Sequence, residues 1–306
     1  MKRVAVVLIV LAGSILTGIL VSHKPEEDPK QKQKKEHYNF YQIHGASLPE
    51  SIDFAGEKAP LDEFYVAEGL DKELQVNTYW HSSTLLQLKR ANRWFPVIDS
   101  ILKENAIPSD FKYVALIESG LENVDSPAGA SGFWQILEGT AEDHGLEVNK
   151  DVDERYHVEK ATKVACEYLG DAYEKYGSWT LAAVSYNAGK RRISNAIDDQ
   201  QADSFYDLYL NDESTRYIYR ILAIKSIYEN PEKYGFTLHE KDLYQPVPYR
   251  TVSFDTAIND LVAFALEQGT TYKMLKTLNP WLVNNKLRNS TQKTYKLKLP
   301  ENQANH

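Results

Sequence analysis

Glu118 closes an apolar stretch, Phe111-Lys112-Tyr113-Val114-Ala115-Leu116-Ile117, and Ser119-Gly120 follows it at once. The chain therefore turns away just where a carboxyl has been delivered. Apolar neighbours such as Leu116 and Ile117, with Trp134 a further candidate, would desolvate the anion and raise its proton affinity. A helix C-terminus, where unpaired carbonyls gather negative potential, pushes the same way. A carboxylic acid held neutral near pH 7 and facing a cleft can protonate a leaving oxygen, a glycosidic one included. Downstream, Gly132-Phe133-Trp134-Gln135, Ser185-Tyr186-Asn187-Ala188-Gly189 and Arg216-Tyr217 bring polar tips on aromatic and amide side chains. Ser119, Gln135, Tyr186, Asn187 and Tyr217 are the candidate groups for holding sugar hydroxyls. Each also has a bland counterpart. A glutamate at a helix end is commonly a surface residue, Trp134 and Tyr186 are commonly core, Gln135 and Asn187 could cap helices, and Tyr217 could be buried with its hydroxyl satisfied.

The elements that must position these groups read as helices. Thr78-Tyr79-Trp80 leads into Leu85, Leu86 and Leu88, and Trp94 to Ile98 leads into Ile101-Leu102, with apolar residues recurring at three and four positions. The spacing predicts the acid's helix from Ser109, as its cap, to Ser119, with Gly120 free to take a left-handed stop. Further helices are predicted over 158–176, ended by Gly177, over 180–186, and over 216–228, ended by Asn230-Pro231. Nothing in 78–229 alternates with period two. Beyond Leu243 the pattern changes. Residues 249–253 and 295–299 alternate as strands and flank helices predicted from Asp255 to Glu267 and from Thr271 to Leu278, a strand-helix-helix-strand module.

The chain of 306 residues, with 42% hydrophobic and 25% charged residues, can bury a sizeable core. A net charge of −8 gives no grip on a polyanion, so nucleic acid is not an expected partner. The single cysteine, Cys166, reads as a small buried apolar residue. No His/Cys/carboxylate cluster has metal-ligand spacing, and neither metal nor cofactor is expected. Met1-Lys2-Arg3 precedes an uncharged run over residues 4–22. It is either a cleaved signal peptide or an uncleaved anchor near the ~20 residues that span a bilayer. Either reading puts the rest of the chain in the periplasm or cell envelope, and retention would associate it with the inner membrane. Residues 23–37 form a charged linker that cannot fold alone. Residues 38–75 show no sustained period and are expected to wrap a folded body. A catalytic domain over 76–236 and the small module over 245–303 complete the organisation.

The ordered series Glu118-Ser119, Gly132-Phe133-Trp134-Gln135, Ser185-Tyr186-Asn187-Ala188-Gly189 and Glu213-Ser214-Thr215-Arg216-Tyr217 resembles the motifs of the lytic transglycosylases of glycoside hydrolase family 23. It is most similar to the branch of membrane-bound lytic murein transglycosylase D. Ser126-Pro127-Ala128-Gly129-Ala130-Ser131-Gly132 resembles the family's small-residue loop, and the resemblance covers about residues 74–228. Phe133 and Ser185 depart from the commoner aliphatic residue and alanine. The resemblance implies a mainly α, lysozyme-like (goose-type/SLT) helical catalytic domain acting on peptidoglycan glycan strands. It implies that Glu118 protonates the oxygen between N-acetylmuramic acid and N-acetylglucosamine, then takes a proton from the muramic 6-hydroxyl, leaving a 1,6-anhydro end. By the same resemblance Ser119 and Gln135 position the sugar, Tyr186 and Asn187 line the cleft near the acetamido group, and Tyr217 orients the acid. The C-terminal module is similar to a degenerate βααβ LysM domain, with Phe254-Asp255-Thr256 where Gly-Asp-Thr is usual. That similarity implies glycan binding, a structural cap being the other reading. A goose-type lysozyme-like hydrolase and a non-catalytic wall-binding scaffold remain as alternatives.

Overall fold

The computed structural model describes residues 44–301. The leader and linker read over residues 1–37 therefore lie outside the described residues. Among the described residues, no helix is long and apolar enough to cross a membrane.

The fold starts with a short hairpin, β1 (Asp53–Phe54) paired antiparallel with β2 (Glu57–Lys58). The expectation of an aperiodic segment over residues 38–75 fails from Phe64 onward, where helix α1 runs Phe64–Tyr79. Its buried Val66, Leu70 and Leu74 recur every four residues, a sparse stripe among charged neighbours. At Gly69 an added Cβ would meet the Tyr219 ring at 2.6 Å. That close approach seats α1 on the later helix that carries Tyr217.

Helix α2 (His81–Glu104) buries Thr84, Leu88, Ala91, Phe95, Ile98, Ile101 and Leu102 along one face and contains Pro96. A 3₁₀ turn, Ser109–Phe111, then leads into α3 (Lys112–Ser119). Ser109 does not cap this helix. Its hydroxyl donates to Asp99 Oδ1 at 2.6 Å, a partner on α2 that local spacing does not reveal. The stop is as expected: Gly120 has φ +63°, and its N–H closes on Leu116 O at 2.8 Å.

After the short α4 (Glu138–Asp143), α5 spans Val158–Tyr176 and ends on left-handed Gly177. Cys166 is buried within it, and burial pushes its thiol up to about 12. Helix α6 (Trp179–Ala188) extends past the predicted 180–186 at both ends. Its start is fixed by Ser178 and by Glu57 of the hairpin, whose carboxylate accepts from Trp179 N at 2.5 Å and Thr180 N at 2.9 Å. Helix α7 (Lys190–Gln200) follows. Helix α8 (Asp212–Glu229) begins four residues before the predicted 216, because Asn211 accepts from Ser214 N. It is buried on nearly every side from Tyr217 to Ile227 and forms the axis of the domain.

The C-terminal module has the predicted order. Strand β3 (Tyr249–Phe254) pairs antiparallel with β4 (Tyr295–Pro300), and α9 (Leu261–Glu267) and α10 (Tyr272–Leu278) lie between them. Its first helix starts at Leu261 and not at Asp255, because Asp260 accepts from Val262 N and Ala263 N and so supplies the cap. The module has its own core around Leu261, Leu275, Trp281, Leu297 and Leu299, and Val152 of the helical domain is a member of it.

Candidate active site

Helix α3 delivers Glu118 against α8. There Tyr217, whose side chain is fully buried, donates its hydroxyl to Glu118 Oε1 at 2.6 Å. Glu118 is half-buried as a residue, and its carboxyl is packed by protein. Burial holds it above the usual carboxylate range, opposed by the Tyr217 hydrogen bond and the Arg220 charge and reinforced by Glu213.

The helix-end contribution read from sequence is blunted in the structure. Arg220 Nη2 donates to Ile117 O at 2.9 Å and Arg90 Nη1 to Gly120 O at 3.3 Å, so two guanidinium groups cover the carbonyls that would have been negative. Desolvation by burial, not the dipole, is the main cause of the raised proton affinity of Glu118. Arg220 lies three residues after Tyr217, so one face of α8 presents both. That spacing is the sequence signal by which Arg220 could have been found. Arg90, 30 residues from its partner, has no such signal.

Tyr186 on α6 completes the buried side. Its hydroxyl donates to Trp134 O at 2.6 Å, and burial followed by the Glu118 charge raises its own ionisation well above the ordinary phenol range. The Trp134 side chain points into the core, fully buried, with its indole N–H on Thr162 Oγ1 at 2.8 Å. The backbone of the 132–135 segment, rather than the indole, therefore borders the acid's surroundings. Gln135 takes φ +48°, and its Nε2 donates to Val124 O at 2.9 Å and Gly132 O at 2.8 Å. Its amide nitrogen is committed to holding its own loop.

Asn187, at the end of α6, accepts from Ser214 Oγ at 3.4 Å and so touches the start of α8. The Ser119 hydroxyl points back into the protein. It donates to Ala115 O at 3.1 Å and Phe133 O at 2.9 Å and accepts from Leu121 N at 3.2 Å. Ser119 thus ties the acid's helix to the 132–135 segment rather than reaching into a cleft. Glu118, Tyr186 and Tyr217 share one electrostatic environment, Gln135 and Asn187 sit on the elements that frame it, and Ser119 braces it from behind.

Beside the acid, a polar recess is lined by Glu73, Asn77, Trp80, Gln87, Arg216 and Arg220. Arg216 Nε donates to the buried Glu73 Oε1 at 2.6 Å, a pairing across 143 residues that sequence reading does not reach. Among the described residues, no group of three or more His, Cys, Asp or Glu side chains could hold a metal ion. A carboxyl whose proton affinity is raised by burial, and which one phenol steadies, can give up a proton and take one back at the same atom.

One consequence concerns pH. If Glu118 must be protonated to act, activity falls as pH rises through its pKa. The Tyr217 hydrogen bond lowers that pKa. Replacing Tyr217 by Phe should therefore move the alkaline limb of the pH–rate profile upward and lower the maximal rate by about tenfold, the worth of one hydrogen bond to a charged group. An alkaline limb that stays in place, or moves down, would contradict this coupling.

Comparison with known proteins gives two domains. Residues 96–208 match the transglycosylase SLT domain, and residues 250–303 match the soluble lytic transglycosylase C-terminal LysM-like domain. Membrane-bound lytic murein transglycosylase D of Escherichia coli K12 is 28% identical over 183 residues, which are 58% of this chain and 40% of the relative. The match thus spans well under half of that relative's length. The 70-kDa soluble lytic transglycosylase SLT70 of Escherichia coli overlays with a TM-score of 0.41 at 17% identity, covering 58% of this chain and 33% of that one.

Proposed function

We propose that this chain, which carries a transglycosylase SLT domain followed by a LysM-like domain, is a peptidoglycan lytic transglycosylase. It cleaves the β-1,4 bond between N-acetylmuramic acid and N-acetylglucosamine without water. The observation that carries this reading is the Glu118 carboxyl, held above its normal proton affinity by burial and bonded by the buried Tyr217. Glu118 gives its proton to the glycosidic oxygen as the bond to muramic C1 breaks, and N-acetylglucosamine leaves with a free hydroxyl. The muramic 6-hydroxyl attacks C1, and the Glu118 carboxylate takes the proton released. One carboxyl is then enough, because the nucleophile belongs to the substrate and its attack is intramolecular.

In this reading Tyr217 orients the acid, Tyr186 and Asn187 line the cleft, Gln135 meets the sugar through its amide oxygen, and Ser119 acts through the loop it braces. The hydrolytic alternative would need a second carboxylate to hold water, and Glu213 is the one whose charge reaches Glu118. The relative is named membrane-bound. That supports a place in the cell envelope, with residues 4–22 as leader or inner-membrane anchor, a catalytic domain whose 76–236 core is extended back through α1 from Phe64, and a LysM-like domain over 245–303. Mass spectrometry of fragments released from purified peptidoglycan tests the proposal. Anhydro-muramic ends are expected, and reducing muramic ends would favour hydrolysis. Binding without release of any fragment would favour a scaffold.

A further inference from the structure

The C-terminal module meets the helical domain along residues 147–159, a segment that also carries the loop bordering Glu118, while the start of the module at Tyr244 and Gln245 bonds to Lys89, Asn92 and Arg93 of α2. Backbone joins the two: Asp153 N donates to Trp281 O at 2.9 Å, Val283 N donates to Asp151 O at 3.0 Å, and Val152 forms a bridge with Leu282. Val152 is 1% exposed and packs in the module's core. The buried Asp151 carboxylate is fully engaged by the module, accepting from Arg288 N, Nε and Nη2 and from Asn284 Nδ2 at 2.8–2.9 Å. Lys293 Nζ and the Tyr295 hydroxyl both reach Glu147, and Lys298 pairs with Glu159.

Two residues further on, the same segment turns towards the site. Arg155, 7% exposed, is clamped by Asp153 through Nε and Nη2, and its Nη1 donates to Gly129 O at 2.9 Å and Ile136 O at 3.4 Å. The Tyr156 hydroxyl donates to Asp125 Oδ1, which also accepts from Ser131 Oγ. Gly132 lies so close to Arg155 that an added Cβ would meet the Arg155 carbonyl oxygen at 2.1 Å. The loop over 124–136 therefore rests on Arg155 and Tyr156, and this loop presents Gln135 and the Trp134 carbonyl that receives Tyr186.

We propose that the C-terminal module is a working part of the catalytic site, with Asp151 and Arg288 as positioning residues. By fixing residues 151–156 they hold the 124–136 loop in register with Glu118. The inference rests on the transglycosylase reading for its effect on rate but not for its effect on the loop. The alternative role for the module is a glycan anchor, which would act on wall binding instead.

The test uses the full chain as wild type, Arg288→Ala, Arg288→Lys and the exchanged pair Asp151→Arg with Arg288→Asp. Amide hydrogen exchange is followed together with kcat and KM on soluble glycan strands and retention on insoluble peptidoglycan. In Arg288→Ala, exchange over 124–136 should speed up by about tenfold or more while that of α5 stays unchanged. In the same variant kcat should fall by about tenfold, with KM and retention within about twofold of wild type. Arg288→Lys, which keeps the charge but not the fork, should recover part of each effect. Unchanged exchange over 124–136 overturns the proposal whatever the activity, as does lost retention at full kcat, which would make the module an anchor. Exchange that rises in α5 as well would mark general unfolding, and the exchanged pair then decides. Its recovery of slow loop exchange supports the clasp, and its failure to recover with a cooperative fold intact overturns it. If wild type yields no anhydro products, the transglycosylase reading fails separately, while the exchange result still stands.

Discussion

Glu118→Gln should lower cleavage of peptidoglycan by about a thousandfold or more, since in the proposed reaction one group supplies both proton steps and general acid–base assistance is worth on the order of 10²–10⁴. The fold should persist, because glutamine keeps an oxygen able to accept from Tyr217. Stability is predicted to change in a direction opposite to activity. Burial raises the folded-state pKa of Glu118 above its unfolded value, so the folded form binds the proton more tightly. Wild-type stability then declines as pH rises from the unfolded carboxyl value through the folded one and stays lowered above it. Glutamine does not ionise. The variant should equal the wild type in acid and match or exceed it near neutrality, which thermal unfolding at two pH values would measure. A variant clearly less stable at neutral pH would mean that the ionised carboxylate is favoured by its surroundings, against the acid role.

Gly132→Ala should be the most damaging small change on the loop. Gly132 has φ +77°, and the obstacle at 2.1 Å is the Arg155 backbone carbonyl, which cannot rotate aside. Overpacking and the left-handed backbone together cost roughly 2–5 kcal/mol. Displacement of the Trp134 carbonyl and Gln135 by even about 1 Å should cost on the order of a hundredfold in rate. Gly129→Ala is the matched control. It lies on the same loop at φ +83° with nothing within 4 Å of an added Cβ, so it should cost only about 1–2 kcal/mol and little activity. Thermal unfolding and turnover of the pair separate the two mechanisms. Equal losses would mean that backbone conformation alone, and not the seat on Arg155, governs the loop.

Much of this architecture is legible in the sequence because it is written locally. The stop of α3 needs Gly120, the stop of α5 needs Gly177, and the stripe along α5 fixes its length, so these elements follow from spacing alone. Helix α1 escapes because Val66, Leu70 and Leu74 are a thin stripe whose justification, Gly69 against Tyr219, lies about 150 residues away. The acid and its tyrosine are readable from motif order, whereas the hydroxyl of Ser119 is not. Its partners, Ala115 O and Phe133 O, exist only once α3 and the loop have docked. The largest omission is the same in kind. Nothing near Arg155 or Asp151 in the chain announces that one supports the loop beside Glu118 and the other grips the C-terminal module.

In the proposed reaction the substrate's own hydroxyl, and not water, closes on muramic C1. Digestion of purified glycan strands in water enriched in the heavy oxygen isotope, read by mass spectrometry of the new muramic ends, measures this directly. The prediction is anhydro ends carrying no label, formed by wild type and nearly absent with Glu118→Gln. Muramic ends carrying one heavy oxygen each would contradict it.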